Sequence, residues 1–161
     1  MIAVRPARAA DLGDFLRLWR AYLEELHAAF GGEILPTERT LTFFADLFMA
    51  LLGGDRGVCL LAEDDASAVG VLLWGSLQQP PVDTDLGKTA QGWGTYVVPA
   101  SRGKHVAKQL REAGAKALAE MGFDHVVGAA ERGNDGGLAS GTKAGFKITQ
   151  QVGVLRLREG A

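Results

Sequence analysis

Cysteine is nearly absent from this chain, because Cys59 is the single cysteine among 161 residues. One cysteine cannot form a disulfide within the chain, so the fold does not depend on one. Cys59 lies in the apolar run 58–61, which favours a buried thiol over a nucleophile. The three histidines are scattered without the spacing of metal ligands, and we therefore predict no metal site.

A strong charge of either sign is also absent. The chain has 17 Lys and Arg against 19 Asp and Glu, and a formal net charge of -2 at pH 7. This balance argues against a nucleic-acid partner, which normally requires a basic excess. No apolar stretch approaches the roughly 20 residues of a membrane helix, and charged residues come too early for a signal peptide. We expect a cytoplasmic protein with no membrane partner.

Apolar residues, by contrast, make up 47% of the chain, which suits one domain over 1–161 with a sizeable core. The predicted elements are a strand at 2–5, helices from 11 and from 37, strands at 57–63, 68–77 and 90–98, a helix at 104–121, a strand at 125–130, a helix from 134, and strands near 147–149 and 152–157. This order indicates a mixed α/β fold and disfavours a doubly wound dinucleotide fold.

The stretch 96–107 is the most informative part of the chain, because an apolar strand passes through a short basic turn directly into an amphipathic helix. The helix has an apolar stripe at spacings of three and four, formed by Val106, Leu110, Ala113, Ala117 and Met121. The first turn of a helix leaves backbone N–H groups unpaired, and the helix dipole adds partial positive charge there. Such a turn can bind a phosphate through the backbone alone.

The side chains of this turn fit the same interpretation. Arg102, Lys104 and Lys108 add positive charge around it. Gly103 and Ala107 are small enough to let a diphosphate approach the main chain. On these residues alone, an ordinary strand-to-helix connection with solvated cations stays open as the alternative.

The spacing Arg102-x-x-His105-x-Ala107 resembles the acetyl-CoA pyrophosphate signature of the GNAT superfamily of N-acetyltransferases, Arg/Gln-x-x-Gly-x-Gly/Ala. The preceding strand 96–99 and the segment 134–146 also look like the family's motifs. His105 stands where the family usually has glycine. The resemblance covers most of the chain.

The resemblance implies a GNAT-like α/β fold with a mixed, mostly antiparallel sheet of six to seven strands and about four helices. It also implies that the fourth and fifth strands splay apart, with acetyl-CoA between them. The cofactor-binding residues implied in this way are Tyr96, Val97, Val98, Arg102, Gly103, Lys104, His105, Val106, Ala107 and Asn134.

The implied activity is transfer of acetyl from acetyl-CoA to a primary amine of a small molecule or peptide by direct attack. The family's usual tyrosine acid corresponds to Gly141 here, so Tyr96 is the candidate acid, with Ser140 or Thr142 holding a water as alternatives. Glu131 is the candidate base, and capping of the next helix is its other interpretation.

Four further interpretations concern two groups of residues outside the turn, the function and the oligomeric state. His125 has a suitable reference pKa for a base, but a lone strand histidine is more often structural. Gly87-Lys88-Thr89 imitates the end of a P-loop, yet the first glycine of that motif is replaced by Val82 and no helix follows. A non-catalytic acyl-CoA-binding module is the rival function, and exposed apolar residues near the C-terminus leave a homodimer open.

Overall fold

The structure is a computed structural model that describes residues 1–31, 34–75, 87–130 and 133–147. Over these residues the strands are β1 Ala3–Pro6, β2 Gly57–Asp64, β3 Ser67–Gly75, β4 Thr89–Val97 and β5 His125–Gly128. The helices are α1 Leu12–Phe30, α2 Glu38–Leu51, α3 Val106–Glu120 and α4 Asp135–Lys143. Within the same ranges, no helix combines the length and apolar character that crossing a membrane requires.

The strands form one sheet in chain order, from β1 at one edge to β5 at the other. The pairings of β1 with β2, β2 with β3 and β3 with β4 are antiparallel, whereas β4 and β5 run parallel. A parallel pair needs a crossover connection, and α3 provides it. This change from antiparallel to parallel pairing places α3 directly after β4.

An aromatic core lies between the sheet and the pair α1 and α2. The ring centroids of Phe15 and Phe48 are 4.7 Å apart, and those of Trp19 and Phe44 are 5.0 Å apart. All four side chains are buried, with exposed fractions of 2% or less. Full burial of one such side chain stabilises a protein by roughly 1.5–3 kcal/mol, so this cluster holds both helices on the sheet.

The opposite face of the sheet is covered by α3. Its residues Val106, Leu110 and Leu118 are buried in a second cluster with the strand residues Leu72 and Trp74. Gly114 permits this close approach, because a side-chain carbon there would meet Leu72 and Trp74 at 3.1 Å. Of the stripe predicted from sequence, Val106 and Leu110 are buried and Ala113, Ala117 and Met121 are half-buried. The buried face also includes Gly114 and Leu118, and it holds the helix N-terminus beside the end of β4.

The predicted order of elements is confirmed over the described residues, and the sheet is mixed and mostly antiparallel as expected. The prediction of six to seven strands is not confirmed, because the described sheet has five. The two additional strands were predicted near 147–149 and 152–157, and all of these positions except Lys147 lie outside the described residues. Helix α3 begins at Val106 rather than at Lys104, because Gly103 and His105 adopt left-handed backbone angles.

Candidate active site

The outer edge of β4 is partly open. Pairing with β5 runs from Thr89 opposite His125 to Gly92 opposite Gly128, and β4 then continues for five residues to Val97. Over residues 93–97 no β5 residue is paired with β4. On this side of residues 93–97 the described part of the chain places no strand, because β5 ends at Gly128. We call residues 93–97 the open edge and the space beside them the gap.

Backbone groups of the open edge point into this gap at alternate residues. Val98 N–H donates to the Val69 carbonyl at 2.9 Å, so these two residues form a hydrogen-bonded pair of the antiparallel ladder. Because such pairs alternate, Tyr96 also bonds to β3, whereas Thr95 and Val97 turn their N–H and C=O groups toward the gap. The open edge thus offers backbone donors, and Thr95 is one that the sequence interpretation missed.

The open edge leads into the N-terminus of α3 through a 3-10 turn at Pro99–Ser101. The first backbone bond of α3 runs from Gln109 N–H to the His105 carbonyl at 3.0 Å, and no side chain caps the helix. By contrast, Thr37 caps α2 and Asn134 caps α4. The early N–H groups of α3 are therefore uncapped and suited to an anion.

His105 adopts a backbone conformation that glycine adopts most easily, which is a physical reason for the glycine usually found at this position in the family. Its φ is 60° and its ψ is 14°, which is the left-handed region. Glycine adopts this region without a steric penalty, whereas another residue pays roughly 1–2 kcal/mol. The His105 side chain is exposed, so the substitution keeps the turn geometry and does not fill the turn.

Arg102 has hydrogen-bond partners that no local sequence pattern reveals. Its Nη2 donates to Glu25 of α1 at 2.6 Å, and its Nε donates to the Val97 carbonyl at 3.0 Å. The hydrogen bond to Glu25 is the main reason that the pKa of Arg102 is raised. Arg102 therefore fastens α1 to the open edge.

The two lysines of this region have looser partners. Lys104 lies 3.9 Å from Asp64, and Lys108 lies 3.8 Å from Glu112, with all three of Lys104, Lys108 and Glu112 more than half exposed. Such surface pairs contribute little to stability and leave the ammonium groups free to move. Positive charge at the turn is thus available from the exposed lysines and from the helix N-terminus, whereas the charge of Arg102 is paired with Glu25.

Tyr96 lies on the face of β4 that contacts α1. Its ring centroid is 5.9 Å from that of Tyr22, and the residue is 7% exposed. The pKa of Tyr96 is raised, first by burial and then by the negative charge of Glu25. The hydroxyl therefore keeps its proton at neutral pH, as an acid must.

Helix α4 and its N-cap carry the predicted cofactor contact Asn134 and the two alternative acid positions, Ser140 and Thr142. Asn134 accepts a hydrogen bond from Gly137 N–H at 2.8 Å through Oδ1, which leaves its Nδ2 group as a donor. Ser140 accepts from Arg111 at 2.7 Å, and Thr142 donates to the Leu138 carbonyl at 3.0 Å. Both hydroxyls are thus engaged in the structure. Glu131 lies outside the described residues.

A second feature, which we call the aromatic cleft, opens at the other end of the open edge. It encloses about 290 Å³ and is lined by Ile34, Arg39, Thr40, Phe43, Phe44 and Trp93. The Trp93 ring meets those of Phe43 and Phe44 edge-on, at centroid distances of 5.8 Å in both cases. The sequence interpretation missed this cleft, although glycines on both sides of Trp93 are a signal for an irregular strand.

Two features considered in the sequence are explained by packing. Lys88 donates to the Met121 carbonyl at 2.9 Å and lies 4.2 Å from the Phe123 ring centroid, so it binds the C-terminal end of α3 instead of a nucleotide. Cys59 is buried, and burial raises the pKa of its thiol well above the usual range. Neither residue belongs to the site.

These features define the class of fold. It is a mixed sheet in which β4 lacks a described partner on one side over residues 93–97, and β4 is followed by a helix without a side-chain cap. The Acetyltransferase (GNAT) family is the family whose model matches this chain, over residues 18–146. The chain belongs to the GNAT acetyltransferase family.

Several solved structures share the fold of this chain. A ribosomal-protein-alanine N-acetyltransferase from Brucella melitensis biovar Abortus 2308 is 22% identical, with 98% of this chain and 100% of that chain covered and a TM-score of 0.68. An aminoglycoside 6'-N-acetyltransferase from Acinetobacter haemolyticus is 22% identical, with 97% and 98% covered and a TM-score of 0.71. A Clostridium acetobutylicum protein, described as a predicted acetyltransferase and solved with acetyl-CoA, is 18% identical, with 98% and 97% covered and a TM-score of 0.74.

A search of curated protein sequences finds no significant match. The solved structures share fold with this chain at low identity, so they do not assign its substrate.

Proposed function

We propose that this protein is an acetyl-CoA-dependent N-acetyltransferase of one domain, residues 1–161, that acts on a primary amine. The observation that carries the proposal is the open edge of β4 leading into the uncapped N-terminus of α3. Family membership supports it, as does a structural neighbour solved with acetyl-CoA. A cytoplasmic location and a homodimer stay predictions.

The diphosphate of acetyl-CoA is expected at the first turn of α3. The N–H groups of Val106, Ala107 and Lys108 precede the first intrahelical bond and have no side-chain cap. Exposed Lys104 and Lys108 can move toward the phosphates. Ala107 keeps the turn shallow, so that the phosphate oxygens can come within hydrogen-bond distance of the backbone.

The pantetheine arm is expected along the open edge. Four residue steps from Val97 to Trp93 span roughly 13 Å at about 3.3 Å each, which suits an extended arm. The arm contains amide groups, and the gap-facing N–H groups of Thr95 and Val97 are donors for their carbonyl oxygens. This placement puts the thioester near Trp93, beside the aromatic cleft.

The reaction then needs no covalent enzyme intermediate. The neutral amine attacks the thioester carbonyl, a C–N bond forms, and the C–S bond breaks as the electron pair leaves with sulfur. A gap-facing N–H group of the open edge is placed to stabilise the oxyanion. The amine loses its proton to a base or to water, and the thiolate gains one from a group such as Tyr96, whose raised pKa keeps it protonated.

A non-catalytic acyl-CoA-binding module is the second candidate. The observations that favour it are Gly141 at the position of the family's usual acid, and the engagement of Ser140 and Thr142 in contacts with other residues. Such a module would retain the open edge and the α3 turn. It would bind acetyl-CoA without releasing the thiol.

A thiol-release assay separates the two candidates. The protein is incubated with acetyl-CoA and a broad panel of primary amines, and free CoA is measured against a control without protein. We expect at least one amine to release CoA above background, with the N-acetyl product confirmed by mass. If acetyl-CoA binds but no amine releases CoA, the transferase proposal fails and the binding module is favoured.

A further inference from the structure

The aromatic cleft has the composition of a site for a flat apolar group. The rings of Phe43, Phe44 and Trp93 form its walls, together with Ile34. Phe43 and Ile34 are 43% and 44% exposed, so apolar side chains of the cleft are accessible to solvent. A volume of about 290 Å³ lies at the lower end of small-molecule sites. The cleft therefore suits a body of about one ring system.

A bulge in β4 places the cleft at the reacting end of the open edge. Leu73 faces Gly94 and Trp74 faces Gly92, so Trp93 is the extra residue between the two pairs. The Trp93 indole donates to the Gly75 carbonyl at 2.9 Å, which fixes the ring. Under the proposed function the thioester lies beside this residue. An amine whose body occupies the cleft is thus within reach of the acetyl group.

The charge at the cleft is positive. Arg39 lines it, and none of the described lining residues is acidic. Within the described ranges Arg39 takes part in no ion pair, and the neighbouring Glu38 is paired with Arg20 at 2.6 Å. A polycationic amine such as an aminoglycoside would place like charge beside Arg39, whereas a carboxylate would find a cationic partner there.

We propose that the acceptor is a small primary amine with an aromatic body and a carboxylate. The aromatic body lies against Phe43 and Trp93, the carboxylate accepts hydrogen bonds from Arg39, and the amine faces the open edge. Apolar walls disfavour the charged ammonium, so they also favour the neutral amine that attacks the thioester. This inference rests on the proposed function, because that function places the acetyl group beside Trp93.

Two matched pairs of amines test the carboxylate. The first pair is 4-(aminomethyl)benzoate and benzylamine, and the second is phenylalanine and phenethylamine. Within each pair the compounds differ by the carboxylate, and the two pairs place it at different distances from the ring. Affinity is measured by calorimetry with and without saturating CoA, and kcat/KM is measured by thiol release. Kanamycin is the polycationic probe.

We expect the carboxylate member of at least one pair to bind at least fivefold more tightly than its partner. Arg39→Ala should remove that preference and leave the partner without a carboxylate within twofold, because a charged partner is lost and the apolar walls remain. Lys116→Ala is the matched control, since Lys116 is an exposed cation that lines a separate hollow on α3. Thermal melting checks that each variant is folded.

The proposal is overturned if neither pair shows a preference that depends on Arg39, or if kanamycin binds more tightly than every aromatic amine. Failure of the proposed function is recognised separately, because it shows as amine binding without CoA release in any pair. Binding by calorimetry does not require turnover, so the inference is tested in either case.

Discussion

The two ends of the open edge are built in different ways. At the α3 end, the expected contacts are backbone N–H groups of residues adjacent in sequence, and they need only a short turn and an anchored helix. At the cleft end, the walls are side chains from α2 and from β4, with Phe43 and Trp93 fifty positions apart. The α3 end is therefore formed by main-chain groups that are close in sequence. The cleft end is formed by side chains that are far apart in sequence.

Under the proposed function, this difference separates a cofactor site built from main chain from an acceptor site built from side chains. A backbone site tolerates substitution, since His105 adopts the left-handed angles of the family's usual glycine. A side-chain site changes with each replacement of Arg39 or Phe43. We therefore expect substitutions at the cleft to alter amine selectivity without altering acetyl-CoA affinity, and the following predictions test this separation.

The largest expected effect concerns two neighbouring phenylalanines of the cleft. Phe44 is 2% exposed and packs on Trp19 and Trp93, whereas Phe43 is 43% exposed. Phe44→Ala should lower the free energy of unfolding by about 3–4 kcal/mol, because it leaves a cavity in the core. Phe43→Ala should lower it by about 1 kcal/mol or less while weakening binding of aromatic amines at least fivefold. Urea unfolding and calorimetry measure the two quantities.

Acetyl-CoA affinity is the control for this pair. Phe43→Ala should leave it within twofold of the original protein, because the α3 turn is untouched. If Phe43→Ala lowers the affinity for acetyl-CoA as much as the affinity for aromatic amines, the two ends of the open edge do not act as separate sites.

In the candidate site, the sequence predicted the local structure, which is the strand β4, the turn after it and helix α3. The stripe from Val106 to Met121 could be recognised in the sequence because residues three and four apart share a helix face. The cleft was missed because it needs α2 to meet Trp93 through a bulge. The role given to Arg102 was incomplete for the same reason, since Glu25 is 77 positions away from it.

The fold shows the same limit. Periodic apolar patterns and continuous apolar runs located the described strands and α-helices to within about two residues at most ends, because burial requires such patterns. The two 3-10 helices, Ala9–Asp11 and Pro99–Ser101, were not predicted. Apolar patterns do not encode where strand pairing stops, so the end of the β4–β5 ladder at Gly92 and Gly128 was not predicted from the sequence. The family resemblance implied only that these strands splay apart.

The hydrogen bonds between Arg5 and Asp11 lie outside both ends of the open edge, so their loss should affect stability and leave ligand binding unchanged. Arg5 donates to both carboxyl oxygens of Asp11, at 2.7 and 2.9 Å, and this hydrogen bonding lowers the pKa of Asp11 from its ordinary 3.8 to about 2. A lowered pKa stabilises the fold above pH 4, and the contribution is lost as pH falls from about 4 toward 2. Asp11→Asn should therefore cost about 1–2 kcal/mol at pH 7 and flatten the acid limb of the stability curve.

The matched control for this network is Asp14→Asn, because Asp14 pairs with Arg17 at the surface and is 50% exposed. We expect it to cost less than about 0.5 kcal/mol. Urea unfolding between pH 2 and pH 7 measures both variants. An Asp11→Asn protein with an unchanged acid limb would show that the Arg5 pairing does not contribute to stability.

The smallest expected effect concerns the ion pair between Glu25 of α1 and Arg102. Glu25→Gln removes a negative charge near the turn and leaves the charge of Arg102 without its ion-pair partner, because the amide oxygen of Gln is neutral. Acetyl-CoA affinity should rise about twofold to threefold at low salt, and the gain should vanish at high salt because exposed charges are screened. Titration calorimetry at two ionic strengths measures it, and Glu24→Gln is the control at the adjacent exposed carboxylate. Weaker binding by Glu25→Gln would show instead that the ion pair positions the turn.

The central claim is that the uncapped first turn of α3 binds the diphosphate of acetyl-CoA. The most direct test compares Ala107→Glu with Ala115→Glu, two identical changes on one helix, by calorimetric titration with acetyl-CoA after thermal melting has confirmed folding. Ala107→Glu places bulk and negative charge at the turn, and we expect affinity to fall at least hundredfold, which is about 2.7 kcal/mol. The exposed Ala115→Glu should bind within twofold of the original protein. A folded Ala107→Glu protein with unchanged affinity would contradict the account.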